Sequence, residues 1–240
     1  MSRAGTFRIG TAGWTIPRAV ADSFPSEGTG LQRYAGRLNC AELNTTFYRP
    51  HKADTYARWR DSVPDGFRFA VKLRKTITHE ARLADCAAML REFAAEVAHL
   101  GDRLGPLLVQ LPPSLTLDPA VAEIFFKDLR AVWDGQVALE PRHASWFEDE
   151  AEQLLVGHRI ARVAADPARH PQAATPGGWP GFAYWRLHGS PRMYFSPYEA
   201  ERLDALAAAL RTGPAEAWCI FDNTASGAAA ADALALKGRL

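Results

Sequence analysis

Cysteine is scarce in this sequence, with three in 240 residues: Cys40, Cys86 and Cys219. They are odd in number and far apart, and no Cys-x-x-Cys pair occurs. That argues against a disulfide framework and against a cysteine zinc site, and a reducing compartment is the expectation. Long hydrophobic runs are missing too. No stretch approaches the roughly 18 apolar residues that a membrane span needs. The first strand-like run begins within the first ten residues, so the sequence shows no signal-peptide pattern and predicts a cytoplasmic protein. An excess of either charge is also lacking: 28 Lys and Arg against 27 Asp and Glu leave a net charge of +1. With no polybasic arm or acidic tail, extended nucleic acid is a disfavoured partner, whereas one nucleotide is not. No Gly-x-Gly-x-x-Gly follows a strand, and neither His-Glu-x-x-His nor Gly-x-Ser-x-Gly occurs. No dinucleotide, metal or other cofactor is therefore assigned.

What remains is ordinary for a globular chain, at 48% hydrophobic and 23% charged residues, and long enough to bury a core without staples. Eight short β-prone runs can be read: 7–13, 39–44, 67–73, 106–111, 136–140, 160–166, 182–188 and 216–222. Helical patterns separate most of them, at 52–62, 80–100, 118–132, 197–210 and 226–237. Asp118 is placed to cap the third of these, with Pro119 at its first position. Strand–helix alternation implies parallel strands joined by right-handed crossovers. Eight such units predict a single (β/α)8 TIM-type barrel domain over residues 1–240. Segment 167–181, with four prolines and three glycines, predicts a loop and a reduced helix after strand 6.

Strand side chains alternate between two faces. Ala41, Leu43, Phe69, Val71, Val109, Leu139, Leu187 and Phe221 fall on one face, which is expected to meet the helices. Cys40, Ala70, Leu108, Ala138, Tyr184 and Ile220 fall on the other, expected to fill the barrel. On that second face polar residues gather late in the strands: Glu42, Asn44, Lys72, Gln110, Glu140, Asp166, Arg186, His188 and Asp222. The C-terminal ends of barrel strands form the mouth where barrel enzymes carry their sites, so a ligand site is expected there. A purely structural ion-pair network is the competing explanation.

Several motifs stand out along the chain: Ile9-Gly10-Thr11-Ala12-Gly13-Trp14, Glu42-Leu43-Asn44-Thr45-Thr46-Phe47-Tyr48-Arg49, Gly66-Phe67-Arg68-Phe69-Ala70-Val71-Lys72, Thr78-His79-Glu80, Leu104-Gly105-Pro106-Leu107-Leu108-Val109-Gln110-Leu111-Pro112-Pro113, Glu140-Pro141-Arg142-His143 with Ser145-Trp146-Phe147, Arg186-Leu187-His188-Gly189 and Phe221-Asp222-Asn223-Thr224. In order and spacing they resemble those of the YecE-like family, known as domain of unknown function 72. The resemblance spans essentially the whole chain and implies a barrel, but no reaction. Carried over position by position, it marks Glu42, Asn44, Tyr48, Lys72, His79, Gln110, Glu140, Arg142, His143, Arg186, His188 and Asn223. Two positions depart from the pattern: Pro141, where an aliphatic or aromatic residue is expected, and Asp222, where asparagine is common.

Glu42 and Glu140 are the general acid/base candidates, with His143 and His188 as proton carriers near neutral pH. Asn44, Tyr48, Lys72, His79, Gln110, Arg142, Arg186, Asn223 and Ser226 are the candidate ligand contacts. Carboxylates and His188 are suitable metal ligands, but Lys72 and two arginines would oppose a divalent cation. Ser226 is expected to cap the last helix, where free N–H groups beside the Arg186 fork would hold a phosphate. Trp14, Tyr48, Trp146, Trp179 and Tyr194 are expected in mouth loops. The function read from this pattern is an enzyme using acid/base chemistry on an anionic, possibly phosphorylated, substrate. A nucleic-acid-processing or nucleic-acid-binding protein and a non-catalytic binder of a small anion are the alternatives.

Overall fold

The computed structural model describes residues 5–240. Ten strands form one sheet: β1 (Thr6–Ala12), β2 (Cys40–Leu43), β3 (Arg68–Lys72), β4 (Leu104–Gln110), β5 (Val137–Glu140), β6 (Ile160–Arg162), β7 (Ala164–Asp166), β8 (Gly177–Gly178), β9 (Ala183–Leu187) and β10 (Glu216–Phe221). Their order is β7-β9-β10-β1-β2-β3-β4-β5-β6-β8, and every pair is parallel except β6 with β8. Strands β6 and β7 are one extended run interrupted at Val163, whose N–H bonds back to Leu139 O at 2.9 Å. The first half pairs with β5 and the second with β9, which almost closes the sheet into the expected barrel.

The eight expected strands are thus present, the sixth in two pieces. The reduced helix after it is also found: only the short 3-10 turn Pro171–Ala174 follows. The chain then returns down the barrel wall, and β8 lies antiparallel to β6, with Gly178 opposite Ala161. Gly178 has φ +65, and a Cβ there would press on the Ile160 carbonyl, so only glycine fits.

Helices cover the outside: α1 (Gly30–Ala35), α2 (Thr45–Tyr48), α3 (Ala53–Asp61), α4 (Ala87–Val97), α5 (Pro119–Val132), α6 (Asp149–Gly157), α7 (Ala200–Thr212) and α8 (Ala228–Lys237). Asp118 caps α5 as expected, accepting from the N–H groups of Ala120 and Val121 at 3.0 and 3.2 Å. The helix expected over 80–100 is shorter. A π-turn at Thr76–Glu80 and positive φ at Arg82, Leu83 and Asp85 precede α4. Ile77, Leu83 and Cys86 are buried by these turns, so the apolar spacing was met without a helix. At the last helix the cap is Gly227 in left-handed conformation, not Ser226. Ser226 is exposed and spends its hydroxyl on Phe195 O.

Two apolar cores result. The outer one includes Ala41, Leu43, Phe69, Val71, Val109, Leu139, Leu187 and Phe221 between strands and helices. The inner one fills the barrel with Cys40, Ala70, Leu108, Ala138, Ala161, Phe182, Tyr184, Trp218 and Ile220. Both match the face assignment read from alternation.

Candidate functional site at the barrel mouth

The inner core ends upward at Tyr184, stacked on Trp218 at 6.2 Å, and its hydroxyl donates to Glu42 Oε2 at 2.8 Å. Above that boundary the barrel is polar. One step further along β9, Arg186 stands in the centre with 1% of its surface exposed. It donates to Glu42 from Nε (3.1 Å) and Nη2 (2.7 Å), to Glu140 from Nη1 (2.7 Å), and to Asp222 from Nη2 (3.1 Å). Residues at the ends of three strands, β2, β5 and β10, therefore meet on one guanidinium carried by a fourth. Glu140 also accepts from Gln110 Nε2 at 2.8 Å and from Arg142 Nη2 at 3.1 Å. His188 donates from Nδ1 to Asp222 Oδ2 at 3.1 Å, and its Nε2 lies 3.4 Å from Glu140 Oε1 without good alignment.

Burial disfavours ionisation of Glu140, but the Arg186 charge, the His188 contact and Arg142 outweigh it and hold the carboxyl well below the usual range. Asp222 is likewise held low: Arg186, His188 and Lys72 overcome its burial. For His188 burial favours the neutral ring, but the hydrogen bond to Asp222 and the nearby Glu140 carboxylate prevail, raising its pKa.

Lys72 differs from its neighbours. It is 8% exposed, yet it appears in no ion pair among the described residues. Its Nζ sits 4.2 Å from the centre of the Phe47 ring. Burial and the Arg186 charge lower its pKa to about 8, against the pull of Glu42, Glu140 and Asp222. Phe47 is delivered by α2, whose Thr46 hydroxyl donates to the Lys72 carbonyl at 2.7 Å. His79 also packs on Phe47, its ring 5.1 Å away and nearly perpendicular. Burial, Lys72 and Arg142 lower the His79 pKa. Asn44, at the start of α2, holds a buried Oδ1 with no hydrogen-bond partner.

The predicted residues Glu42, Lys72, Gln110, Glu140, Arg142, Arg186 and His188 are thus brought to one end of the barrel, with His79 and Asn44 beside them. Others are not part of this cluster. His143 caps the turn Ala144–Phe147 by accepting from the Ser145 N–H. Asn223 is fully buried and donates to Asp232 Oδ2 and Ser196 O, a bracket for α8. Tyr48 is 69% exposed on the rim. The Arg186 fork expected to meet an anion is instead occupied by three carboxylates. Of the loop aromatics, Trp146 is buried on Phe126, Trp14 packs on Trp59 and Phe69, and Trp179 joins the inner core at the opposite end. Tyr194 does face the mouth, 5.8 Å from the His188 ring. Sequence reasoning missed Phe47, Arg169 and Met193. The last two line a cleft of about 20 Å³ with Glu140, Arg142 and His188. Phe47 lay in plain view inside a motif, but its aromatic ring carries no chemistry until Lys72 is placed on it.

Residues 8–240 match the family described as "Protein of unknown function DUF72". The chain belongs to this family. It is 33% identical to UPF0759 protein YecE of Escherichia coli over 156 residues, 61% of this chain and 53% of that protein. The match thus spans about half the length of this curated relative. A DUF72 family protein from Enterococcus faecalis superposes with a TM-score of 0.82 at 21% identity, over 98% of this chain and 95% of that one. Another from Thermotoga maritima gives 0.77 at 25% identity, over 97% and 98%. A sugar phosphate isomerase/epimerase from Parabacteroides distasonis gives 0.51 at 11% identity over 98% and 96%, a likeness of fold alone. Among the described residues no helix is long and apolar enough to cross a membrane, and no cluster of three His, Cys, Asp or Glu side chains is disposed to hold a metal.

Proposed function

We propose that the mouth is the active site of an enzyme that moves protons on a small anionic substrate. The observation that carries this reading is the division of labour among the charges. Glu42, Glu140 and Asp222 are all tied to Arg186, while Lys72 has no carboxylate partner. The three carboxylates are matched by Arg186, Arg142 and Lys72, and a protonated His188 adds a further positive charge. An anion would balance it. Glu42 and Glu140, with oxygens engaged by buried donors, are suited to positioning Arg186, not to exchanging protons. Lys72 and His188 are the groups whose protons can move near neutral pH, so we assign base and acid roles to them. Arg142, His79, Asn44 and Gln110 are the contacts for the substrate. The near-zero net charge supports a small ligand over extended nucleic acid. A cytoplasmic setting belongs to the same reading, supported by three buried, unpaired cysteines.

The test is incubation of the protein with a metabolite extract, followed by mass spectrometry. A phosphorylated or carboxylated metabolite should be consumed by the wild type and left intact by Lys72→Met and His188→Asn. Anion-dependent stabilisation with no metabolite consumed would favour a non-catalytic binder. Oligonucleotide binding that falls steeply with salt would favour the nucleic-acid reading.

A further inference from the structure

Five lysines occur in the chain, at positions 52, 72, 75, 127 and 237. Lys72 alone projects from the interior face of a barrel strand. A lysine buried merely for packing would be expected to find a carboxylate, because an unpaired buried ammonium is costly. Three carboxylates stand nearby, yet all are drawn to Arg186. The amine is left on an aromatic face, with His79 on the same ring and the unpartnered carbonyl oxygen of Asn44 on the helix that supplies that ring. Two further polar atoms are thereby poised without protein partners: the Lys72 nitrogen and Asn44 Oδ1.

We infer that Lys72 is a covalent nucleophile that forms an imine with an aldehyde or ketone substrate bearing an anionic group, with Phe47, His79 and Asn44 forming the wall around the amine. This rests on the reading of the mouth as an anion-handling acid/base site, and it names the substrate class and the bond formed. The nitrogen lone pair attacks the carbonyl carbon, and the π electrons pass to the oxygen. A proton moves from nitrogen to that oxygen, giving a carbinolamine. A second proton converts the hydroxyl to water. The carbon–oxygen bond breaks and the nitrogen lone pair completes the carbon–nitrogen double bond. Overall, lysine ammonium and carbonyl compound give iminium and water, with charge conserved and no change of oxidation state. His79 is suited to relay the first proton, because burial and the charges of Lys72 and Arg142 keep its ring neutral. Arg142, with a guanidinium only partly engaged by Glu140, is the partner for the anionic group. A lowered amine pKa supports the same role, since only the neutral amine attacks.

The experiment uses glyoxylate as a small anionic aldehyde and sodium cyanoborohydride to reduce any imine, near neutral pH, with modified lysines located by peptide mass spectrometry. The groups acting on Lys72 are Arg186, Arg142, His79, Glu42, Glu140 and Asp222. Burial and the Arg186 charge raise its amine fraction against the pull of the three carboxylates, so Lys72 should be modified at least about tenfold faster than Lys75, which is half exposed and paired with Glu80. Glycolate, the same anion without a carbonyl, should slow the reaction at Lys72 and leave the other lysines unaffected. Lys72→Arg, which keeps the charge, should abolish the fast phase while retaining glycolate-dependent stabilisation. Modification at Lys75 and the other lysines with Lys72 untouched would overturn the imine. Should metabolite consumption still require Lys72 in that case, the acid/base reading stands and only the covalent step falls. If neither consumption nor anion stabilisation is seen, both fall together.

Discussion

Arg186→Met is the perturbation that asks most of the mouth. The substitution keeps an unbranched chain in the barrel but removes four hydrogen bonds and the only charge that three buried carboxylates share. Breaking a buried ion pair by removing one partner is destabilising by about 3–5 kcal/mol. For a chain of this size each kcal/mol lowers the melting temperature by about 2–4 °C, so a fall of about 6–20 °C is expected. The pH dependence gives a sharper check than the size. In the wild type Glu140 and Asp222 are held below their unfolded values, so their stabilisation is present above the ordinary carboxylate range and is lost on acidification through their folded pKa values. Without Arg186 the three carboxylates repel one another and lie in a desolvated site, so the folded pKa values of Glu140 and Asp222 rise above the unfolded ones. Stability of the variant should then increase as pH falls from about 7.5 to about 5.5, more steeply than the raised His188 pKa alone makes it in the wild type. Differential scanning calorimetry at both pH values measures this. A variant that melts within a degree or two of the wild type, with no inverted pH slope, would mean that the carboxylates are hydrated and that the network described here does not hold them.

Three further outcomes follow. Lys72→Met should raise the melting temperature at neutral pH by a few degrees, because a buried amine titrating near 8 opposes folding in its charged form; a clear fall would make Lys72 structural. His188→Asn should destabilise most below the unfolded histidine pKa of about 6.5, and the difference from wild type should shrink as pH rises through the raised folded value. Parallel melting curves across that range would refute the charged His188. Asp118→Ala should lower stability by about 0.5–2 kcal/mol through loss of the α5 cap, read from urea unfolding with an unchanged slope.

The barrel and the two faces of its strands could be read from the sequence because alternation has one solution here. Cys40 and Glu42 must point one way if Ala41 and Leu43 point the other, and only the apolar set can meet helices. The late position of the polar residues then placed them at the mouth without any knowledge of contacts, except for Asp166, which lies in register with Leu187 on the outer face and pairs with Arg202 of α7. What could not be read was who pairs with whom. Glu42 and Arg186 are 144 positions apart, and the sequence offers Lys72 and Arg186 as equivalent cations. Only three dimensions show that the planar guanidinium gathers all three carboxylates and leaves the amine alone. The return strand β8 was invisible for another reason: two glycines have no periodicity, and strand–helix alternation contains no antiparallel step. Ser226 was read as a cap from its type, yet Gly227 takes that place because the turn there needs a positive φ.

The central claim is that Lys72 carries an unpaired amine whose proton can leave near neutral pH. Competitive labelling with trace acetic anhydride over a pH series, followed by peptide mass spectrometry of all five lysines, measures it in the folded protein. Lys72 should reach half of its limiting reactivity at a pH of about 8, well below the ordinary lysine range, with the other four lysines as internal references. A Lys72 midpoint beside theirs would show an ordinary ammonium and contradict the account.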